Sequence, residues 1–296
     1  MNVHLIDGTY ELFRHYYGAP GALDRFGREA GAVHGVLSSL LGMLDAGATH
    51  MAVATEHVSE SFRNQLWPGY KTGDGIEPAL RAQFGPLEES LRAMGVQVWA
   101  MEELEADDGM ASGAALAARD PRVECIYLCT PDKDLAQCVR GGRVVQWDRR
   151  RGEVRDEAGV FGKFGVPPAS IPDYLALVGD SADGFPGVPG WGAKSTATVL
   201  ARYLHLERIP PRAENWDVPV RGASRLAGNL RENRADAFLF RDLATLRDGA
   251  ALFEDVAELE WRGPLPEFRD AAHDLGATGL WDRAQRISDK LREVPV

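Results

Sequence analysis

Acidic residues follow four short apolar runs in the first half of the chain. They are Asp7, Glu56, the trio Glu105, Asp107 and Asp108, and the pair Asp132 and Asp134. For the trio alone, a plain interpretation is available, because acidic side chains suit the positive end of a helix dipole. Repetition of the pattern after four runs favours a shared role instead. Carboxylates gathered within a few ångströms of each other repel unless cations lie between them.

The types of these side chains indicate which cations would suit them. Oxygen ligands with no His or Cys among them favour Mg²⁺ or Mn²⁺ over zinc. Two such ions about 4 Å apart can direct the attack of water on a phosphodiester. The sequence therefore predicts a two-metal site for phosphoryl chemistry.

Parallel strands are the elements that would bring these residues together. Strand-like apolar runs cover residues 3–6, 51–55, 96–99, 123–129 and 143–147. Apolar residues at helical spacing lie between them, most clearly over residues 30–44 and 78–94. The alternation predicts an α/β fold with a mostly parallel sheet, whose sites lie at the carboxyl ends of the strands. Residues 130–134, with Pro131 in the first turn, predict the start of a helix. Beyond residue 156 short helices replace strands.

A second motif runs from Gly179 to Thr196. Its segment Val188-Pro189-Gly190-Trp191-Gly192 predicts a tight hairpin, followed by a helix from Ala193. Backbone N–H groups at such a helix start can hold a phosphate without reading a base, and Lys194 would strengthen the grip. The Gly-x-Lys-Ser ending resembles a nucleotide-binding P-loop, but two prolines and a helix precede it where that motif needs a strand and a further glycine.

Composition limits the remaining possibilities. With 296 residues, of which 45% are hydrophobic, the chain can form one large α/β domain or a core with a helical annex. It has no apolar run near the roughly 20 residues of a membrane span and no signal-peptide core, so we expect a cytoplasmic protein with three reduced cysteines. The net charge of −11 argues against a nucleic-acid partner unless metal ions neutralise many carboxylates. Only five of 33 basic residues are lysines, and Lys71, Lys133 and Lys194 fall inside motifs.

Together the motifs resemble the 5′ nuclease family, which comprises the 5′–3′ exonuclease domain of bacterial DNA polymerase I, its stand-alone relatives and the flap endonucleases. The matching segments occur in family order from residue 3 to about residue 247. They include Leu5-Ile6-Asp7-Gly8, Phe62-Arg63 with Pro68-Gly69-Tyr70-Lys71, Glu105-Ala106-Asp107-Asp108, Asp132-Lys133-Asp134-Leu135-Ala136-Gln137, and Asp173-Tyr174-Leu175-Ala176-Leu177-Val178-Gly179-Asp180-Ser181-Ala182-Asp183 with the hairpin.

The resemblance implies a PIN-like α/β nuclease core over residues 1–155, with an arch region at about 57–78. It also implies a helical region over residues 156–296, with a helix–hairpin–helix motif at about 172–203. Two Mg²⁺ or Mn²⁺ ions are implied, and often K⁺ at the hairpin. The matching metal carboxylates are Asp7, Glu105, Asp107, Asp108, Asp132, Asp134, Asp180 and Asp183, and Glu56 stands where the family usually has Asp.

Other residues match the parts of the family that handle substrate. Arg63, Tyr70 and Lys71 are implied to grip the cut strand and its scissile phosphate. Residues expected to contact DNA are Arg14, Gly187, Val188, Gly190, Trp191, Gly192, Lys194 and Ser195. After Lys71 the family usually continues with basic and proline residues, whereas Thr72-Gly73-Asp74-Gly75 is flexible and acidic.

The expected function is that of a metal-dependent 5′–3′ exonuclease and structure-specific flap endonuclease. We expect it to act on nicked, gapped or flapped DNA or on RNA–DNA primers, as a stand-alone monomer associated with the nucleoid. One alternative is a family member that binds branched DNA but cuts poorly. Another is a phosphatase with a nucleophile from Asp132-x-Asp134, in which the hairpin would have no place. The balance of exonuclease and endonuclease action stays open.

Overall fold

Apolar runs that alternate with helical stretches form parallel strands in the computed structural model, which describes residues 1–18, 20–57 and 60–293. The strands are β1 (Asn2–Asp7), β2 (His50–Glu56), β3 (Gln97–Met101), β4 (Cys125–Cys129), β5 (Val144–Asp148) and β6 (Glu153–Arg155). The α-helices are α1 (Gly8–Gly18), α2 (Gly31–Asp45), α3 (Phe62–Leu66), α4 (Pro78–Arg81), α5 (Phe84–Ala93), α6 (Ala106–Ala117), α7 (Glu157–Phe164), α8 (Ile171–Val178), α9 (Ala193–Tyr203), α10 (Ala223–Glu232), α11 (Arg234–Ala244), α12 (Phe268–Asp274) and α13 (Gly279–Glu293).

The chain forms two compact units that are not consecutive in sequence. The first comprises Met1–Ser59, Gly73–Thr130 and Asp248–Val296, and the second comprises Glu60–Thr72 and Pro131–Arg247. The arch region predicted at 57–78 thus contributes to both units, and its residues 58 and 59 lie outside the described residues. The division of the chain at residue 155 stays a prediction.

Parallel strands in the order β3-β2-β1-β4 make the sheet of the first unit. Strand β1 pairs in parallel with both β2 and β4, and β2 pairs in parallel with β3. The side chains of Leu5, Ile6 and Val53 are fully buried, as expected when both faces of a parallel sheet are covered. The predicted strands are therefore confirmed, within one or two residues at their ends.

The prediction of one helix over residues 78–94 is wrong. The structure has α4 and α5 instead, separated by Ala82 and Gln83. Pro86 explains the break: it lacks an N–H and is tolerated in the first turn of α5, but it would interrupt a helix that continued from Pro78. The buried Gln83 uses the break, because its Oε1 accepts hydrogen bonds from the N–H groups of Ala32 (3.2 Å) and Val33 (3.3 Å) at the start of α2.

The second unit is mainly helical, and its strands β5 and β6 form an antiparallel pair. Strand β6, which sequence patterning missed, pairs with β5, and Arg149, Arg150 and Arg151 lie in the turn between them. The core of this unit is rich in aromatic rings: Phe185 stacks on Phe240 with 5.6 Å between ring centroids. None of the helices in the part of the chain that the structure describes combines the length and apolar character that a membrane crossing requires.

Candidate metal centre

The carboxylates of the first unit lie at the ends of neighbouring strands, as predicted. Asp7 is the last residue of β1, and its Oδ1 accepts a hydrogen bond from the N–H of Tyr10 (2.8 Å) at the start of α1. Its Oδ2 accepts from the hydroxyl of Thr130 (3.0 Å), the residue after β4. Glu56 ends the adjacent strand β2, and its N–H donates to Thr9 Oγ1 (3.0 Å). Adjacent parallel strands thus carry carboxylates at the same edge of the sheet.

The acidic trio lies at the first turn of α6. Glu105 is the residue before the helix, and its N–H donates a hydrogen bond to Asp108 Oδ2 (3.0 Å). Asp108 is completely buried, whereas Asp107 is partly exposed. The capping role that acidic residues have at a helix start is therefore present for Asp108. This hydrogen bond places Glu105 and Asp108 side by side at the start of the helix.

Three carboxylates of the second unit come together. One oxygen from each of Asp134, Asp180 and Asp183 lies within 4.8 Å of the others, and the residues are only 5%, 4% and 8% exposed. Sequence reasoning named all three as metal ligands, and the structure confirms that they are neighbours. A buried group of three oxygen donors fits a hard divalent cation.

Short turns rather than helices position these three residues. The helix predicted to start within residues 130–134 is instead a 3₁₀ helix, Asp134–Cys138. Asp132 Oδ1 accepts the N–H of Asp134 (2.9 Å), a local bond that competes with α-helical pairing. After α8, Asp180 Oδ1 accepts the N–H of Ala182 (3.0 Å), and its Oδ2 lies 2.5 Å from Lys133 Nζ. One carboxylate oxygen of Asp134, Oδ1, is buried and accepts no hydrogen bond within the described residues.

Two lysines supply positive charge to the cluster. Lys133 Nζ lies 2.5 Å from Asp180 Oδ2 and 3.8 Å from Asp134 Oδ1, and Lys71 Nζ lies 3.2 Å from Asp183 Oδ1. Burial raises the pKa of Asp134 well above its usual range, and the charges of Asp132 and Asp183 raise it further. Burial alone would lower the pKa of Lys133, but the neighbouring carboxylates of Asp134 and Asp180 raise it above its ordinary value. The pKa of Asp134 thus rises mainly through burial and then through its acidic neighbours, whereas the pKa of Lys133 rises because these neighbours outweigh its burial.

Sequence reasoning did not assign Lys133 to the site. Its place between Asp132 and Asp134 was the available signal, but spacing along a turn does not show where a flexible ammonium points. Lys71 was assigned to substrate handling, and its N–H donates to the carbonyl of Asp183 (3.0 Å). Trp67 Nε1 likewise donates to the carbonyl of Gly184 (3.0 Å). The segment 67–71 is therefore fastened to the loop that carries Asp183.

Arg63 and Tyr70 are placed differently from Lys71. Arg63 is 1% exposed, and its guanidinium donates hydrogen bonds to the carbonyls of Leu243 (2.8 Å) and Thr245 (3.3 Å) at the end of α11. Tyr70 is buried in the core of the second unit. Both side chains anchor the segment that holds Lys71, and their predicted grip on substrate stays a prediction.

The predicted hairpin between helices is present between α8 and α9. Gly187 has a positive φ of 73°, and a Cβ there would lie 2.4 Å from the backbone nitrogen of Gly179. The side chains of Val188 and Trp191 are buried, and Trp191 Nε1 donates to the carbonyl of Leu226 (3.1 Å). These side chains fix the loop, so that any contact by the hairpin itself falls to its backbone.

Polar groups are accessible where the hairpin leads into α9. Gly192 and Lys194 are exposed at the start of α9, and Ser195 Oγ bonds to both the N–H (3.2 Å) and the carbonyl (2.9 Å) of Gly192. Gly190, at the tip, has a φ of 82°. Arg14, the remaining predicted DNA contact, lies on α1 and pairs with the buried Glu11. Contact of these residues with DNA stays a prediction.

Comparison with known proteins places the chain in a family. A family model described as "5'-3' exonuclease, N-terminal resolvase-like domain" matches residues 2–165, and one described as "5'-3' exonuclease, C-terminal SAM fold" matches residues 166–267. The "5'-3' exonuclease" of Buchnera aphidicola subsp. Baizongia pistaciae is 32% identical over 252 residues, which are 83% of this chain and 82% of that protein. The chain therefore belongs to the 5′–3′ exonuclease family.

Two further similarities concern a longer protein and a shared fold. DNA polymerase I of Pseudomonas aeruginosa is 35% identical over 265 residues, which cover 86% of this chain but only 28% of the polymerase. A bacteriophage T5 D15 flap endonuclease variant, solved in complex with DNA and metal ions, has a TM-score of 0.65 at 17% identity and covers 99% of this chain and 100% of that chain. The predicted fold class, a mostly parallel PIN-like sheet with a helical second part, is confirmed.

Proposed function

We propose that this protein is a metal-dependent 5′–3′ exonuclease and structure-specific 5′ flap endonuclease that hydrolyses phosphodiester bonds in DNA. The observation that carries the proposal is the buried group Asp134, Asp180 and Asp183 with Lys71 and Lys133 beside it, in a chain of the 5′–3′ exonuclease family. Buried carboxylates at such spacing are costly unless a cation balances them.

Two Mg²⁺ or Mn²⁺ ions are the cations that we propose, one for each group of carboxylates. We assign Asp134, Asp180 and Asp183, with Asp132, to one ion. To the other we assign the carboxylates after β1, β2 and β3: Asp7, Glu56, Glu105, Asp107 and Asp108. When bound, such ions lower the pKa of water and stabilise charge on the attacking and leaving oxygens. The presence of metal ions in the T5 D15 complex supports metal binding in general.

The chain's own residues would hold and orient the substrate strand. Lys71 is partly exposed at 35% of its side chain and is held beside the carboxylates by the main-chain bonds of segment 67–71. Its ammonium can therefore bind a phosphate oxygen and stabilise charge that develops during cleavage. Arg63 and Tyr70, both buried, would keep this segment in place.

Duplex DNA is the proposed partner of the hairpin. Backbone N–H groups at the start of α9 and the exposed Lys194 can hold a phosphate of any sequence, and K⁺ would suit the carbonyl groups of the loop. Nicked, gapped and flapped DNA, and RNA–DNA primers, are the substrates we propose, handled by a monomer in the cytoplasm near the nucleoid. The DNA in the T5 D15 complex supports DNA as the partner.

An assay with end-labelled DNA tests the proposed activity. Protein with Mg²⁺ should release short labelled products from the 5′ ends of nicked and flapped duplexes, and chelation of the metal should stop the reaction. Asp180→Asn should lower the rate by at least about 10³-fold, since it removes a ligand charge but can keep the bond to Ala182.

The matched control is Asp217→Asn, which removes an exposed carboxylate that pairs with Arg202 in the same unit. We expect it to cleave at the wild-type rate. Binding of flapped DNA without any shortening would favour the branched-DNA-binding alternative. Release of labelled phosphate from intact strands would favour the phosphatase alternative.

A further inference from the structure

Lys133 occupies the position in the carboxylate cluster that a cation needs. Its Nζ lies 2.5 Å from Asp180 Oδ2 and 3.8 Å from Asp134 Oδ1. These two residues belong to the group whose oxygens lie within 4.8 Å of one another. A cation bound by this group and the ammonium of Lys133 would thus draw on the same oxygens.

The hydrogen bonding of Asp180 indicates which of its oxygens a metal ion and Lys133 would both use. Its Oδ1 already accepts the N–H of Ala182 (3.0 Å), so that Oδ2 is the oxygen available to a metal ion. Oδ2 is also the atom that Lys133 contacts. The buried Oδ1 of Asp134, which accepts no hydrogen bond within the described residues, is the second atom that Lys133 approaches.

The side chain of Lys133 is able to leave. It is 34% exposed, whereas the side chains of Asp180 and Asp134 are 3% and 8% exposed. A flexible four-carbon stem can move the ammonium toward water, where it is strongly hydrated. The turn that holds Asp180 needs no change for this movement, because its bond to Ala182 uses the other oxygen.

We propose that Lys133 is an internal competitor of the divalent cation, and that it sets the metal affinity of the centre by holding Asp180 and Asp134 until an ion displaces its ammonium. The proposal rests on the metal centre of the proposed function and adds a residue that tunes it. It makes Lys133 a positioning residue: it keeps the repelling carboxylates of Asp134 and Asp180 together in metal-free protein at the expense of metal affinity.

Titration with Mn²⁺ in the absence of DNA tests this proposal, with free Mn²⁺ followed by electron paramagnetic resonance. Lys133→Met removes the competing charge and should tighten binding of the first ion by about tenfold or more. Lys290→Met is the matched control, because Lys290 is an exposed lysine that pairs with Asp45 in the first unit. Its affinity should equal that of the wild type within about twofold.

A second variant covers the case in which Lys133→Met does not fold. Lys133→Arg keeps the charge and offers a planar fork that binds carboxylates more firmly, so it should weaken Mn²⁺ binding several-fold. Unchanged or weaker binding by Lys133→Met, or unchanged or tighter binding by Lys133→Arg, overturns the proposal. A purely structural role would lower thermal stability and leave these affinities unchanged. Wild-type protein that binds no Mn²⁺ would contradict the proposed metal centre itself, and the inference with it.

Discussion

Charge is the dominant feature of the site at the scale of single residues. Asp134 lies beside Asp180 and Asp183, within one buried group, and Lys133 and Lys71 offset part of this charge. Burial disfavours the ionised form of Asp134 and the neighbouring carboxylates disfavour it further, which explains why its pKa rises. Repulsion among these carboxylates opposes folding, and a bound divalent cation would relieve that repulsion.

Asp134→Asn tests this electrostatic account through stability. The raised pKa means that the carboxyl of Asp134 is compatible with the fold below its ordinary value near 3.8 and destabilises the fold as the pH rises through the higher folded value. In chelator, we therefore expect Asp134→Asn to melt a few degrees above the wild type at about pH 8, with the difference vanishing at about pH 4. Thermal unfolding followed by circular dichroism measures both.

Asp217→Asn is the control, because the pKa of Asp217 is shifted in the opposite direction to that of Asp134. The hydrogen bond from Arg202 lowers the pKa of Asp217, so its loss cannot stabilise the protein at neutral pH. A stability difference for Asp134→Asn that is independent of pH, or negative at about pH 8, would contradict the electrostatic account.

The sequence predicted the acidic cluster better than it predicted the basic side chains around it. Acidic residues that recur after strand-like runs can be recognised from their type and order, and Asp134, Asp180 and Asp183 are indeed neighbours. The direction of a long side chain cannot be recognised in that way. Lys133 was missed, and Arg63 is completely surrounded by protein, because burial depends on which distant residues return to a segment.

At the scale of elements, loops rather than helices position the site. Residues Asp180 and Asp183 lie in the loop after α8, and this loop continues into the hairpin that precedes α9. Gly187 lets two backbone segments approach so closely that a Cβ would lie 2.4 Å from Gly179 N and 2.6 Å from the carbonyl carbon of Val178. The hairpin and the carboxylates are therefore parts of one tightly packed connection.

Gly187→Ala should disturb this connection. Its φ of 73° disfavours any side chain, and the clash is with backbone that cannot move aside. We expect a melting temperature several degrees lower and binding of nicked duplex weakened by about tenfold or more, as measured by fluorescence anisotropy in Ca²⁺. Gly228→Ala is the control: it adds a Cβ inside α10 with no atom within 4 Å, and it should bind normally. Equal binding by both variants would show that the hairpin does not hold DNA.

Local pattern predicted most elements but not their interruptions. The strands and the helix start at Ala193 follow from apolar runs and from Gly and Pro signals. The single helix predicted over residues 78–94 is wrong, because the apolar spacing continues across Pro86, which fits the first turn of α5 but not the interior of one long helix. Strand β6 has three residues, two of them charged, so its sequence has no apolar pattern. It is recognised as a strand only through its pairing with β5.

At the scale of the whole molecule, the compact units cannot be inferred from the order of elements along the chain, because each unit combines segments that are distant in sequence. Residues 248–296, which carry α12 and α13, belong to the first unit with the amino-terminal strands. Arg283 on α13 donates a hydrogen bond to the carbonyl of Ser38 on α2 (3.1 Å). Such a return across 245 positions has no local signal, since it depends on which apolar faces remain uncovered after the sheet has formed.

Net charge also has its meaning at this scale. A value of −11 is unusual for a protein that we propose to bind DNA, but many of the carboxylates are the candidate ligands of the metal centre. Ions bound there would offset part of the negative charge where the substrate phosphates must approach. The account therefore depends on divalent cations at Asp134, Asp180 and Asp183 more than on any other single feature.

Anomalous diffraction from crystals grown with Mn²⁺ tests that claim most directly. Data collected at the manganese edge should show a peak about 2.1 Å from oxygens of Asp134, Asp180 and Asp183, with Lys133 Nζ moved away from Asp180 Oδ2. Protein from the same preparation should cleave nicked DNA with Mn²⁺. An anomalous map with no peak at these three carboxylates, from protein that still cleaves, would contradict the account.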